Sequence, residues 1–126
     1  MQYLSSSLED YLEIIYILMQ NSDSVGITDI AKALSISKPS VNKAVNLLKE
    51  KGYICQEKYG KIIFTDKGIN TAKSVYKKHN MLTVFLKDIL GVSKKTAEID
   101  ACKVEHVLSN ETILRMEYFL KNKRGE

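Results

Sequence analysis

The chain has 126 residues, a formal net charge of +4, 44% hydrophobic residues and 27% charged residues, a balance typical of one compact globular unit or two very small ones. It has no apolar run near the ~20 residues of a membrane span, no signal-peptide pattern at its start, and only two cysteines, Cys55 and Cys102, too few for a secreted disulfide scaffold. We therefore expect a cytoplasmic protein without membrane association, and we exclude a large multidomain enzyme.

The positive charge is concentrated in the middle of the sequence. Residues 1–31 contain five acids and no Lys or Arg, residues 32–78 contain eleven lysines and three acids, and residues 79–126 are nearly balanced. Such a basic segment is typical of a protein that contacts a polyanion, although a lysine-rich solvated surface is the alternative.

Helical periodicity of the apolar residues predicts three helices in the first half of the chain. The first covers residues 8–20 and is capped near Ser7, the second is short and covers residues 27–34, and the third runs from a Ser37 cap to Gly52. Pro39 falls in the first turn of the third helix, where its missing N–H costs little.

The apolar spacing then changes toward the alternation of strands. Two strands are predicted at residues 53–57 and 61–65, around a short turn at Lys58-Tyr59-Gly60. Cys55 is interpreted as a packing residue, with an exposed redox thiol as the alternative. Further helices are predicted over residues 65–90, 94–108 and 110–121.

Two helices, a three-residue turn and a following hairpin form the order of a winged helix-turn-helix. The turn is Ser35-Ile36-Ser37, in which we expect Ile36 to be buried. The fold class is therefore mainly α. An N-terminal winged helix-turn-helix of three helices and a two-stranded wing occupies residues 1–70, and a helical domain occupies residues 71–126.

The outward face of the third helix carries residues suited to a DNA interface. Hydroxyls and amides in its N-terminal half can reach base edges in the major groove, while lysines contact phosphates. Lys49 is interpreted as one further phosphate contact, and a solvated helix face is the alternative. The predicted contacts to double-stranded DNA are Ser37, Lys38, Pro39, Ser40, Asn42, Lys43, Asn46, Lys58 and Lys61.

A second group of residues has the donor types of a transition-metal site: Asp10, Glu13, His79, Cys102, Glu105 and His106. The last three stand at i, i+3 and i+4 and share one face of the predicted fifth helix, and the first two share a face of the first helix. Thiolate, imidazole and carboxylate together suit a divalent first-row metal better than Mg or Ca. Alternatively, the two acids complement the N-terminus of their helix, and Cys102 is an ordinary buried thiol.

The sequence resembles the diphtheria toxin repressor family of iron- and manganese-responsive transcription regulators in four segments, which are SLEDYLEIIYIL, ITDIAKALSISKPSVNKAVNLLKEKGYI, EKYGKIIFTDKG and CKVEH. The resemblance extends from Leu8 to about Leu120. It implies a winged-helix DNA-binding domain followed by a helical metal-binding and dimerisation domain, in a short form without the SH3-like domain of iron-type members.

By this resemblance, the primary metal ligands are Asp10, Cys102, Glu105 and His106, while Glu13 and His79 match a paired-metal cluster of manganese-type members. Manganese-type members have a carboxylate where Cys102 stands, and iron-type members have a methionine where Asp10 stands. Because a thiolate favours Fe(II), Co(II), Ni(II) or Zn(II) over Mn(II), we expect Fe(II) as corepressor and Mn(II) second, with Zn, Co or Ni binding in vitro.

The resemblance thus implies a metal-dependent repressor in metal-ion homeostasis, not an enzyme, that binds a palindromic operator as a homodimer. The cation would favour the DNA-competent geometry of the dimer, which is a population shift. The alternative for each residue of the apolar dimer face is an ordinary core position. The candidates are Met81, Leu82, Phe85, Ile89, Ile113, Met116, Tyr118 and Phe119.

Two other functions are compatible with these residues. A winged-helix regulator that senses no metal would bind DNA equally well with a chelator present. A metal-dependent hydrolase or a redox-active thiol protein would use Cys102 for chemistry, although no orienting residue or oxyanion loop accompanies it.

Overall fold

A computed structural model describes residues 4–123 of the chain. It separates into two compact units, Met1–Ser74 and Val75–Glu126, and the mainly helical fold class is confirmed. The helices and strands are α1 (Ser6–Met19), α2 (Ile27–Leu34), α3 (Lys38–Glu50), β1 (Ile54–Gln56), β2 (Ile62–Phe64), α4 (Asp66–Val84), α5 (Lys94–Val104) and α6 (Asn110–Lys123). No helix in residues 4–123 is long and apolar enough to cross a membrane.

Helix α1 packs into the core of the first unit through one apolar stripe. Leu8, Leu12 and Ile15 recur at helical spacing and are buried, as expected for one face of a 3.6-residue period. The helix begins two residues before the predicted start, because the Oγ of Ser5, and not that of Ser7, accepts a hydrogen bond from the N–H of Leu8 at 3.2 Å.

The helix-turn-helix connection is fixed by hydrogen bonds at both of its ends. Ser35 ends α2 in the left-handed conformation, with φ of 55°, and the Oγ of Ser37 accepts from the N–H of Ser40 at 3.3 Å, so the predicted cap of α3 is confirmed. The expectation that Ile36 is buried was wrong. Its N–H closes the end of α2 on the carbonyl of Ala31 at 3.1 Å, and its residue surface remains 37% exposed.

The wing is a two-stranded antiparallel hairpin in which Cys55 pairs with Ile63. Each strand is shorter than predicted by one residue at each end, and a 3₁₀ turn (Lys58–Gly60) joins the two strands. Since side chains alternate across a strand, the burial of Ile54 leaves Cys55 exposed. The interpretation of Cys55 as a packing residue is therefore corrected.

Gly68 allows the start of α4 to lie very close to the segment between α3 and β1. A Cβ at this position would lie 1.8 Å from the carbonyl oxygen of Tyr53, which no side chain could accommodate. Nearby, the Oγ1 of Thr65 donates to the carbonyl of Gly52 at 2.6 Å. These contacts hold α4 directly against the chain that leads into the wing.

The second unit has its own small core, formed by Met81, Leu82, Ala101, Ile113 and Leu120. Three of the predicted dimer-face residues belong to it (Met81, Leu82 and Ile113), which corrects that part of the prediction. Helical periodicity does not distinguish a core stripe from an interface stripe, since both are apolar. Of the other candidates, Tyr118 and Phe119 are exposed, while Phe85, Ile89 and Met116 are half-buried.

Two helices of the second unit differ from the predicted ones at their C-terminal ends. The long fourth helix changes to a π-helical turn at Phe85–Ile89, and α5 ends at Val104 instead of Leu108. The N–H groups of Val107 and Leu108 both donate to the carbonyl of Val104, which closes α5 in a turn. Glu105 and His106 therefore lie at the end of the helix, where the chain changes direction.

Candidate metal centre and DNA interface

The predicted ligands of the second unit lie at the end of α5. Cys102 is in its last turn, and Glu105 retains helical dihedral angles (φ −58°, ψ −25°), with its N–H donating to the carbonyl of Ala101 at 3.0 Å. The helical spacing that places Cys102 and Glu105 on one face is thus preserved, even though the regular helix is shorter than predicted.

The carboxylate of Glu105 is the centre of this cluster. Its Oε2 is 3.0 Å from Nδ1 of His79, on α4, and its Oε1 is 3.5 Å from Nε2 of His106. The Sγ of Cys102 lies within 4.8 Å of a carboxylate oxygen of Glu105. The second unit therefore brings together the four predicted ligands it contains, and these four residues are named the Glu105 cluster.

Burial makes the Glu105 cluster chemically unusual. Glu105 is fully buried, and a buried carboxylate is costly unless hydrogen bonds or positive charge compensate it. The cluster offers thiol sulfur, imidazole nitrogen and carboxylate oxygen within a few ångströms, a donor set that fits a first-row divalent cation. Its residue types and geometry can therefore hold a metal.

The two predicted ligands of the first unit both lie on α1. Asp10 and Glu13 stand at i and i+3 and share a face; Asp10 is half-buried and Glu13 is buried. Interaction with the N-terminal dipole acts within the first turn of a helix, where the acid of α1 is Glu9. The dipole therefore does not account for the burial of Glu13 in the middle of the helix.

The predicted DNA-contacting residues lie on one helix and on the wing that follows it. Val41, Ala44, Val45 and Leu48 of α3 are buried, so the opposite face is turned to solvent. The nine predicted residues are exposed, except Lys61, which is half-buried.

Two hydrogen bonds refine the expected roles of individual side chains. Ser37 donates from Oγ to the Oγ of Ser40 at 2.9 Å, so both hydroxyls belong to the cap of α3 as well as to its exposed start. Lys49 donates from Nζ to Oε1 of Gln56, on β1, at 3.1 Å. This hydrogen bond ties the end of α3 to the wing and gives Lys49 a structural partner in addition to its predicted phosphate contact.

Tyr59 is an exposed residue of the wing that is not among the predicted DNA contacts. It lies in the turn between the strands with a positive φ of 65°, a conformation uncommon for a residue with a side chain, and its surface is fully exposed. The phenol hydroxyl of a tyrosine at the tip of a wing, beside Lys58, can donate a hydrogen bond to a phosphate of a nucleic acid. The available signal was an aromatic residue directly before Gly60 in a lysine-flanked turn.

A winged helix-turn-helix with a basic exposed face and a helical unit with a thiol, carboxylate and imidazole cluster together define a metal-responsive DNA-binding protein. Comparison with protein-family models agrees with this class. Residues 3–62 match the N-terminal DNA-binding domain of iron-dependent repressors, and residues 65–124 match the metal-binding and dimerisation domain of the same repressors.

Individual relatives give the same result. An uncharacterised HTH-type transcriptional regulator of Methanocaldococcus jannaschii, MJ0568, is 40% identical over 119 residues, 94% of this chain and 95% of its own length. The HTH-type transcriptional regulator MntR of Geobacillus kaustophilus is 36% identical over 122 residues, 94% of this chain and 86% of its own. The chain belongs to the iron-dependent repressor family, whose members are metal-dependent transcriptional regulators, and the predicted resemblance is confirmed.

The fold also matches a solved structure of the family. The manganese regulator SloR superposes with a TM-score of 0.81 at 32% identity, over 90% of this chain and 53% of that one. The chain therefore spans about half the length of that regulator.

The solvent-accessible lysines of α3 and the wing give a prediction about salt dependence. Replacing Lys43 or Lys61 with alanine should weaken binding to all duplex sequences alike and lower the slope of log K against log salt by about 0.9 for each phosphate that the variant no longer neutralises. Fluorescence anisotropy with labelled duplexes at several salt concentrations measures both quantities. Lys73→Ala, which removes an exposed lysine of α4, is the charge-matched control, and equal slopes for all four proteins would contradict the proposed interface.

Proposed function

We propose that this protein is a metal-activated repressor of transcription that acts in the cytoplasm and uses a divalent cation as corepressor. Residues 1–70 bind duplex DNA, and residues 71–126 bind metal and dimerise. The observation that carries the proposal is the buried carboxylate of Glu105 between two imidazoles, in a chain whose first unit exposes a basic recognition helix. No catalytic role is assigned to Cys102, in keeping with a family of transcriptional regulators.

The proposed primary ligands are Asp10, Cys102, Glu105 and His106, with Glu13 and His79 as ligands of a second position. Donor chemistry and family membership support this set, which draws on both units of the chain. A cation held there would supply positive charge to the buried carboxylates. Asp10 belongs to the helix that precedes the DNA-reading helices, so its engagement in the set would link metal occupancy to the DNA-binding unit.

The proposed partner is a palindromic operator bound by a homodimer. The residues proposed to contact DNA are the nine predicted ones, with Tyr59 added at the tip of the wing. Tyr118 and Phe119 of α6 are exposed apolar residues in the part of the chain that matches the dimerisation domain, which favours them for the dimer face. A twofold dimer reads half-sites about one helical turn apart.

Metal choice depends on Cys102 in this proposal. A thiolate ligand favours Fe(II) over Mn(II), which stands lowest among the divalent first-row metals in affinity for a given site. Fe(II) is therefore proposed first and Mn(II) second, and Co, Ni or Zn are proposed to bind in vitro. Mn(II) is retained as the second choice because the similar protein SloR, at 32% identity, is a manganese regulator.

The most direct test of this function is the capture of genomic DNA fragments by the purified protein under anaerobic conditions. Capture is carried out with chelator, with Fe(II) and with Mn(II). We expect fragments that are enriched only with metal and share a palindrome, since allosteric couplings of about 1–3 kcal/mol change affinity roughly 5- to 150-fold. Equal enrichment with chelator would favour a regulator that senses no metal, and no enrichment under any condition would contradict DNA binding.

Replacing Cys102 with glutamate should shift the response from Fe(II) toward Mn(II), because the substitution exchanges a soft ligand for a hard one. We expect the ratio of the Fe(II) and Mn(II) concentrations needed for half-maximal DNA binding to change by about tenfold or more. Cys55→Ser is the matched control, since it removes the other cysteine, which is exposed on β1. An unchanged metal ratio in Cys102→Glu would remove the thiol from metal selection.

A further inference from the structure

Lys78 contacts the Glu105 cluster, but its protonated amine cannot act as a metal ligand. Its half-buried side chain donates from Nζ to the main-chain carbonyl of Glu105 at 3.3 Å. The next residue, His79, contacts the carboxylate of the same glutamate at 3.0 Å. Two consecutive residues of α4 thus hold the main chain and the side chain of Glu105.

The hydrogen bond places the ammonium of Lys78 at the main chain of Glu105, whose side chain belongs to a cluster with an acidic carboxyl and a thiol. The carboxylate of Glu105 is fully buried, and the sulfur of Cys102 lies within 4.8 Å of it. A nearby ammonium stabilises such groups when no metal is bound, because opposite charges attract strongly where water is excluded. A protonated amine has three donors and no lone pair for a metal.

The same ammonium opposes a divalent cation. Like charges repel, and the repulsion is weakly screened where the groups are partly buried. When a metal is bound, Lys78 therefore loses part of its favourable interaction with the cluster. The free energy of metal binding is reduced by that loss.

We propose that Lys78 is a positioning residue that lowers the metal affinity of the Glu105 cluster. Its positive charge stabilises the cluster in the metal-free protein and is repelled by a bound cation. This inference rests on the proposed function, since it requires that the cluster binds a divalent cation. It predicts that the protein responds at a higher metal concentration than its ligand set alone would give.

A purely structural role for Lys78 predicts the opposite change in metal affinity when the side chain is removed. If the side chain only tied the end of α5 to α4, its removal would loosen the ligands and weaken metal binding. If its charge sets the affinity, removal destabilises the metal-free protein but strengthens metal binding. Measurement of both quantities on the same variants separates the two roles.

The experiment uses Lys78→Gln, which keeps a hydrogen-bond donor without the charge, and Lys78→Met, which removes both. Mn(II) affinity is measured by anaerobic isothermal titration, and the melting temperature is measured with chelator and with saturating Mn(II). For Lys78→Gln we expect a dissociation constant lowered about tenfold, a lower melting temperature in chelator, and a larger rise on adding Mn(II). For Lys78→Met we expect the dissociation constant and both melting-temperature effects to change in the same directions.

Two controls keep this test specific. Lys77→Met removes the neighbouring lysine, whose side chain is 77% exposed and pairs with Glu117 at 4.0 Å, and should leave the dissociation constant within about twofold of wild type. Lys78→Arg keeps the charge and should also remain near wild type.

An unchanged or raised dissociation constant in folded Lys78→Gln would overturn the role of Lys78 while leaving the metal-responsive function intact. Failure of the wild-type protein to bind Mn(II) and, in a parallel anaerobic titration, Fe(II) would overturn both the role of Lys78 and the proposed metal site. The two failures are therefore distinguishable.

Discussion

The burial of one carboxylate is the constraint on which the proposed function of the second unit depends. Glu105 is fully buried at the end of α5, where an ionised acid is tolerated only with hydrogen bonds or positive charge around it. His79 and His106 approach its two oxygens, and Lys78 approaches its carbonyl. The fold thus keeps this carboxylate away from water, and a cation bound beside it would interact with it strongly because screening by water is weak there.

The first unit presents positively charged side chains on a rigid surface. The stripe from Val41 to Leu48 anchors α3 in the core, and the Ser37 cap fixes where the exposed face of the helix begins. Gly68 allows the chain after the wing to pack directly against Tyr53, and Lys49 ties α3 to β1. Lysines and amides on such a surface need little reordering to meet a DNA backbone, which preserves the affinity that their charges provide.

Much of this architecture could be predicted from the sequence, because local signals and tertiary packing agree there. The Ser37 cap, the stripe of α3 and the strand alternation around Tyr59 each have a local cause, and the order of these elements identified the winged helix. Predictions failed where two neighbouring residues gave the same local signal, or where tertiary packing determined the position of a side chain. Ser5 and Ser7 are chemically alike as caps, and an apolar stripe did not reveal that Met81 lies in a core. The donor types of the proposed metal ligands were visible in the sequence, whereas the proposed role of Lys78 was not, because it depends on a contact with a residue 27 positions away in the chain.

In the proposed function, metal binding and DNA binding are coupled through one set of ligands, and such a coupling must be reciprocal. The most direct measurement is therefore the Mn(II) or Fe(II) affinity of the protein with and without a captured operator fragment, under anaerobic conditions. Operator DNA should tighten metal binding by the same factor by which metal tightens DNA binding, and His106→Ala should abolish both effects together. A metal affinity that is unchanged by the operator would contradict this coupling, because it would show that metal binding at the Glu105 cluster does not affect the DNA-binding unit.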